Sequence, residues 1–378
     1  MKKNLFMTAA AIAALLTGCS TDEEIANIET SAKNAIGFNI VSNGAETKAT
    51  PINPGNLTTT DFAVFAFNST TKDLFMGDDD GMDGVQIEHD GTSWIYATPS
   101  ELAYWPTNNL DFYAVNPAIE SFEQHTNGTL FYTIKAGTQT IVYSMADEFG
   151  EKEGLKNIDV MYAVAMNQAK TENNGTVKLH FKHTLSQVLF NAKVQYTNMN
   201  VTIKSMRIHN FAVGGTFTFP TTGEATQSNW ASTRAKTAKT VKNIKTSQVE
   251  VNSAKDPVNI TDVDNPMLFI PQTLTAWQTK VGTPMSKADA DKEENNFQSY
   301  LEVACKIEQN RATVHDGTLY IPFSAEWQPG KRYIYTLIFG GGYDDKGLPI
   351  LTPITFDASV EDWPDASGYA PEVPAYTN

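Results

Sequence analysis

The sequence predicts an all-β protein made of antiparallel sheets packed as β-sandwiches. Short runs rich in Val, Thr, Phe and Tyr alternate apolar and polar residues, and Gly, Pro and Asn separate the runs. Period-2 alternation is typical of strands with one buried and one solvated face. Helical patterns are few, and hydrophobic residues make up 41% of the chain, enough to form a core.

The chain begins with a segment typical of exported proteins. Two lysines precede an apolar run over residues 5–16, which is too short to span a bilayer as a stable helix. The next residues, LTGC (16–19), resemble a bacterial lipobox. We therefore predict a signal peptide over residues 1–18, acylation of Cys19, and an acidic, solvated tether over residues 19–35.

The candidate strands follow the tether in order and share β-type composition. Residues 36–41 alternate, residues 62–67 are apolar on both faces, and residues 177–185 place every second residue on one apolar side. The remaining runs are 110–115, 130–134, 188–194, 217–219, 267–270, 319–323 and 333–339.

Two adjacent runs differ in which residues face the core. The apolar positions are odd-numbered from Val177 to Leu185 and even-numbered from Val188 to Val194. A strand cannot change parity without an extra residue, so a bulge or tight turn is expected near Ser186 and Gln187.

The 378 residues are long enough for two domains. The best boundary is the polar, turn-rich segment KTENNG (170–175), which separates two β-rich halves. We expect two sandwiches in tandem, over residues 36–170 and 175–363, followed by a tail over residues 364–378. The tail contains three prolines, which lack the amide that a ladder needs, so it is a poor strand.

Charge and cysteine content restrict the partners. The net charge is −15, and cleavage of the leader removes two lysines, so the mature chain repels nucleic acid and anionic lipid. Membrane contact would come through acyl chains. With Cys19 acylated, Cys305 stands alone on the apolar side of its run, where a thiol serves as a small core residue.

No pattern indicates catalysis, and no metal or cofactor site is expected. His180 and His183 point to opposite faces of one strand, so they cannot share an ion, and His183 is expected in the core with a hydrogen-bond partner. The acidic loop 78–83 lacks EF-hand spacing and is expected to be a solvated hairpin turn, with cation binding left open. Trp94, Trp105 and Trp230 are candidates for an exposed carbohydrate-binding platform.

Ten motifs in a fixed order together resemble the fimbrillin family, the type V pilus subunits of Bacteroidota. They are IGFNI (36–40), TKAT (47–50), FAVFAF (62–67), YWP (104–106), LDFYA (110–114), DVMYA (159–163), Phe-x-His-x-Leu-Ser (181–186), IPQ (270–272), WQPGKRYIY (327–335) and VEDW (360–363).

That resemblance implies two tandem sandwiches of transthyretin-like topology and export as an outer-membrane lipoprotein. It also implies assembly into a surface fimbria that supports adhesion, with other pilus subunits as partners. In shaft members a trypsin-like protease cuts beyond the first strand, that strand leaves, and a strand of the next subunit replaces it.

The resemblance places these steps on specific residues. The cut would fall between Lys48 and Ala49, where many relatives carry arginine in place of the lysine. The displaced strand would present Ile36, Phe38 and Ile40. The candidate donor strand presents Ile354, Phe356, Ala358 and Val360, a run that equally fits the last strand of the second domain.

Three alternatives remain open at this stage. The first strand stays in place, as in an anchor or tip subunit. The chain is a surface lipoprotein that binds carbohydrate or a host ligand without polymerising. The chain is a hydrolase, which requires an acidic pair that the sequence does not reveal.

Overall fold

The protein is built almost entirely from β-strands. The computed structural model describes residues 35–40, 60–118, 129–145, 159–171, 175–221, 224–233, 240–245, 247–261, 267–277, 298–340 and 355–362. These ranges hold 25 strands and two single 3₁₀ turns, Pro99–Glu101 and Gln227–Asn229. The predicted all-β class with antiparallel sheets is confirmed. No helix in the described ranges is long and apolar enough to cross a bilayer.

Two sheets hold most strands of the first half. Sheet A pairs two strands in parallel, β1 (Gly37–Ile40) and β10 (Thr176–Leu179). Sheet B is antiparallel, and its strands in spatial order are β11 (Lys182–His183), β9 (Met161–Gln168), β6 (Leu110–Asn116), β2 (Phe62–Asn68), β4 (Val85–His89) and β5 (Trp94–Tyr96), with β3 (Leu74–Met76) also paired to β2.

Sheet C joins strands from both halves in antiparallel order: β7 (Thr129–Lys135), β8 (Thr138–Ser144), β14 (Gly214–Thr218) and β15 (Trp230–Thr233). Sheet D contains β18 (Val258–Asn259), β12 (Ser186–Val194), β24 (Lys331–Phe339) and β25 (Thr355–Asp362), with β19 (Met267–Phe269) paired to β12. Sheet E contains β16 (Val241–Lys245), β13 (Met199–His209), β21 (Gln298–Gln309), β20 (Thr273–Ala276) and β23 (Ala325–Glu326), with β17 (Val249–Val251) on β13 and β22 (Ala312–Pro322) on β21. The pairs β12–β24 and β20–β21 are parallel.

Sheet B is covered on both faces. Six successive residues of β2, FAVFAF, are buried, which explains why this run is apolar without alternation. Phe62 points to sheet A, where its ring centroid lies 6.4 Å from that of Phe38. Phe65 points the other way and meets Tyr132 of sheet C at 5.7 Å. Sheets A, B and C therefore form three stacked layers.

Sheets D and E pack around the larger hydrophobic cluster. Phe190 on β12 contacts Phe323 at a ring distance of 5.8 Å, and Trp327 contacts Phe269 at 4.7 Å. Cys305 on β21 is fully buried there, which confirms its predicted place in the core. Desolvation by this burial raises the pKa of the Cys305 thiol to about 12.

The predicted change of parity falls at a bend between two sheets. β11 belongs to sheet B, β12 belongs to sheet D, and Thr184 and Leu185 between them form the bend. The backbone N–H and hydroxyl of Thr184 both donate to the carbonyl of Val160, at 2.9 and 2.8 Å. The Trp230 indole donates to the carbonyl of Thr184 at 2.8 Å. The predicted irregularity near Ser186 is confirmed immediately before that residue.

Strands on both sides of the segment 170–175 share ladders. β10 and β11 follow this segment, yet they pair with β1 and β9, which precede it. β14 likewise pairs with β8. The division into sandwiches over 36–170 and 175–363, with transthyretin-like topology, stays a prediction.

Shortening a side chain in the doubly covered layer should be costly. Phe65→Ala removes a fully buried ring between sheets B and C and should lower the free energy of unfolding by about 3–5 kcal/mol. Urea unfolding followed by fluorescence measures this loss. Phe75→Ala is the matched control, because Phe75 on β3 is 38% exposed and its loss should cost about 0.5 kcal/mol or less. Equal losses for the two variants would contradict the three-layer arrangement.

Candidate functional site: the groove that holds the first strand

β1 lies in a groove over sheet B and forms a ladder along one edge. It pairs in parallel with β10, from Gly37 opposite Thr176 to Ile40 opposite Leu179. At its start, the N–H of Ile36 donates to the carbonyl of Ala103 at 2.9 Å, and Ala35 forms an isolated antiparallel bridge with Tyr104. Within the described chain, the backbone of β1 is thus held by one four-residue ladder and by contacts at its first residues.

The side chains of β1 alternate as the sequence predicts. Ile36, Phe38 and Ile40 are buried at 1%, 7% and 9% exposure, whereas Asn39 faces solvent. The three apolar residues belong to a separate hydrophobic cluster with sheet B and β10. The alternate side chains of β1 therefore fill the groove over sheet B.

Phe38 occupies an aromatic box at the centre of this groove. Its ring centroid lies 6.4 Å from Phe62, 6.0 Å from Phe112 and 5.9 Å from Tyr96. The first two pairs are edge-to-face, the arrangement that the ring quadrupole favours. Around it, Trp105 adds an edge-to-face contact to Phe112 at 5.8 Å.

Two aromatic side chains also hold the ends of sheet A by hydrogen bonds. The Tyr96 hydroxyl donates to the carbonyl of Ile36 at 3.0 Å. The Trp105 indole N–H donates to the carbonyl of Gly175 at 2.8 Å, just before β10. Gly175 has φ +83°, a conformation that favours glycine, and the indole nitrogen lies 3.2 Å from where a Cβ would stand. Burial raises the pKa of Tyr96 to about 12.

The tryptophan prediction was wrong in part. Trp230 is 7% exposed and lies in the core, where its ring packs against Phe217. Trp94 and Trp105 are half-buried and pack on the cluster around β1. These three side chains form no exposed platform, because aromatic rings in a sandwich are more useful as filling between sheets.

Residues 36–40 were identified from the sequence, but their surroundings were not. The roles of Tyr96 and Trp105 depend on a parallel pairing between strands about 140 residues apart, and no local pattern specifies it.

Of the other residues predicted to take part in strand exchange, five lie outside the described residues and three are described through their backbone alone. Cys19, Lys48, Ala49, Val41 and Ile354 lie outside the described residues. For Phe356, Ala358 and Val360 the structure gives backbone pairing: β25 is antiparallel to β24 at the edge of sheet D, with Phe356 opposite Leu337.

The histidine prediction is confirmed, and the acidic loop forms a turn. His183 is 1% exposed and its Nδ1 lies 3.1 Å from Asp159, whereas His180 is exposed. In the loop, the carboxylates of Asp78 and Asp80 accept backbone N–H bonds from Asp83 and Met82 at 3.0 and 2.9 Å. Within the described ranges, no three His, Cys, Asp or Glu residues cluster as metal ligands would.

Comparison with known proteins gives a family and a fold. A family model described as fimbrillin-like matches residues 47–363. A fimbrial protein from Bacteroides vulgatus is similar with a TM-score of 0.56 at 15% identity, covering 87% of this chain and 99% of that chain. A candidate cell adhesion protein from Bacteroides uniformis has a TM-score of 0.47 at 14% identity, with the same coverage. The C-terminally truncated tip fimbrial protein Mfa3 from Porphyromonas gingivalis has a TM-score of 0.38 at 11% identity, covering 80% of this chain and 94% of that chain. No curated protein matches the chain.

Emptying the aromatic box should loosen β1. Phe38→Ala should weaken the local stability of sheet A by about 3 kcal/mol, because a buried ring is lost and a cavity is left. Hydrogen exchange of the amides of β1 and β10 should accelerate, with little change in β13. Asn39→Ala on the exposed face is the control and should leave exchange unchanged. Equal acceleration in both variants would mean that the box does not hold the strand.

Alkaline pH should weaken the contact between Tyr96 and the strand in the groove. The unfolded tyrosine titrates near pH 10, and the pKa of Tyr96 in the fold is about 12. Because the raised pKa favours the neutral phenol in the fold, its contribution to stability is intact below pH 10 and is lost as pH rises towards 12. Urea midpoints measured at several pH values in this window should fall. The fall should be shallower in Tyr96→Phe, and an identical pH dependence would refute the assignment.

Proposed function

Because this chain belongs to the fimbrillin-like family, we propose that it is a structural subunit of a surface fimbria that supports adhesion, with no catalytic role. It would travel to the outer membrane as a lipoprotein acylated on Cys19. Its partners would be other pilus subunits, as neighbours in a homo- or hetero-polymer. The basic and apolar start of the sequence, the LTGC motif and the acidic composition of residues 19–35 support this route.

The observation that carries the proposal is the way β1 fills its groove. Within the described residues, the strand buries three side chains, shares a four-residue ladder with β10 and forms no ladder with sheet B. Its departure would leave the ladders of sheet B intact and would expose an apolar groove with an unpaired β10 edge. A strand from another subunit would satisfy both the groove and the edge.

Energetics support exchange in preference to simple loss. Burial of three apolar side chains contributes on the order of 5–9 kcal/mol before the entropy of ordering the strand is subtracted. Loss of β1 without replacement is therefore unfavourable. A strand that makes equivalent contacts recovers most of this energy, and cleavage of the link between β1 and β2 removes the covalent obstacle to exchange. A donor such as β25 must first give up its ladder with β24.

We place the cut between Lys48 and Ala49, in the segment that joins β1 to β2. Cleavage there releases β1 from its covalent connection while leaving β2 and all later strands in one chain. The displaced strand is then residues 36–41, and β25 is the candidate donor, since it lies at the edge of sheet D with one neighbouring strand in the described part.

N-terminal sequencing of the surface-assembled form tests the proposal. A start at Ala49, together with ladders of subunits that survive mild denaturation, is the expected result. Lys48→Ala should abolish the ladders and Lys48→Arg should keep them. Lys135→Ala, at an exposed hairpin lysine, is the control and should assemble normally.

The contrary outcomes separate the alternatives. Acylated Cys19 at the N-terminus of all surface material, with β1 retained, would refute the shaft role and favour an anchor. Monomers that never form ladders, whatever residue stands at position 48, would refute polymerisation.

A further inference from the structure

We propose that Tyr96 and the aromatic box around Phe38 set the register of the strand that occupies the groove, so that β25 of a second copy enters with Phe356 in the place of Phe38. The inference rests on the proposed function. It adds which residue of the incoming strand is recognised, and by which side chains of the receiving subunit.

Tyr96 contacts the strand in the groove at two positions. Its hydroxyl donates to the carbonyl of Ile36 at 3.0 Å, and its ring contacts the side chain of Phe38, two residues further on, at 5.9 Å. Any strand in the groove must therefore offer a carbonyl at one position and a ring two residues later. A shift of two residues keeps the backbone pattern but removes the ring from the box.

The candidate donor meets this requirement in a single register. Its apolar series is Ile354, Phe356, Ala358 and Val360, which contains one aromatic residue. With Phe356 in the box, the sequence ITFDA lies where IGFNI lies in β1. A shift of two residues in either direction places Ile354 or Ala358 among Phe62, Phe112 and Tyr96, and leaves a cavity where a ring belongs.

The solvent-facing positions also fit this register. Asn39 is exposed and pairs with Lys178 of β10, which is exposed as well. Asp357 would replace Asn39 and place a carboxylate opposite this lysine, a favourable cross-strand pair. Thr355 would replace Gly37, where an added Cβ lies 3.3 Å from the hydroxyl oxygen of Thr176, so the Thr176 side chain must shift by a few tenths of an ångström.

A cross-linking experiment measures the register directly. The full chain carries a specific protease site in place of residues 47–50 and the substitutions Cys19→Ser and Lys178→Cys, and it is cleaved at that site after folding. Synthetic peptides of residues 352–362, each with one cysteine at 355, 357 or 359, are then added in a low concentration of denaturant. The remaining cysteine, Cys305, is fully buried and does not compete.

The register predicts which peptide cross-links. The cysteine at position 357 should take the place of Asn39, opposite the cysteine introduced at position 178. This peptide should therefore give more cross-linked product than the peptides with cysteine at 355 or 359. Dominance of either of those positions would overturn the proposed register. Exchange of a peptide of residues 34–42, but not of 352–362, would overturn the donor assignment and leave strand exchange standing. Failure of both peptides to exchange would overturn the proposed function together with this inference.

Two further variants test the recognition itself. Phe356→Ala in the peptide should weaken binding by at least about 100-fold, as expected for an emptied aromatic site. Ser359→Ala is its control, because the proposed register turns this position away from the groove, and it should bind as the parent does. In the protein, Tyr96→Phe should speed dissociation about five-fold through the lost hydrogen bond, and Tyr104→Phe should not. Equal effects within either pair would refute the role of the box or of Tyr96.

Discussion

The structure depends on one constraint: sheet B is apolar on both faces. Phe62 and Phe65 lie three residues apart on β2 and point to opposite sides, and neither is exposed. A single β-strand layer of this kind is unstable in water unless both faces are covered. Sheet C covers one face through a long-range pairing of β8 with β14. The other face depends on sheet A, of which β1 is half.

This constraint makes the apolar side chains of β1 necessary to cover sheet B. The groove holds three apolar side chains, and in the described part of the chain the ladder that fixes them is short and parallel and joins β1 to β10 alone. The groove requires side chains of a certain size and spacing and carbonyl groups at a few positions. These requirements do not depend on which chain supplies the strand. Under the proposed strand exchange, folding and assembly between subunits would have the same physical requirement, met within one chain or between two.

Two aromatic residues beside β1 combine apolar packing with a hydrogen bond to the backbone. Tyr96 and Trp105 fill space beside Phe112, and each also uses its polar atom to hold a backbone carbonyl of sheet A. A phenol or an indole suits this position because it combines an apolar body with one directed donor. The expected exposed platform of tryptophans fails for the same reason, since Trp230 uses its indole N–H to fix the bend at Thr184.

Sequence alone was enough to predict ten of the strand runs, the burial of His183 and Cys305, the parity change before Ser186 and the alternating faces of residues 36–40, but it missed the long central strand β13. These predictions follow from the two-residue period of a strand, which is a local property. The pairing of β1 with β10, and the position of Phe38 among Phe62, Phe112 and Tyr96, became apparent only in the folded molecule. Strand pairing between distant segments is selected by the shape and coverage of whole layers, and many partners satisfy the same local alternation.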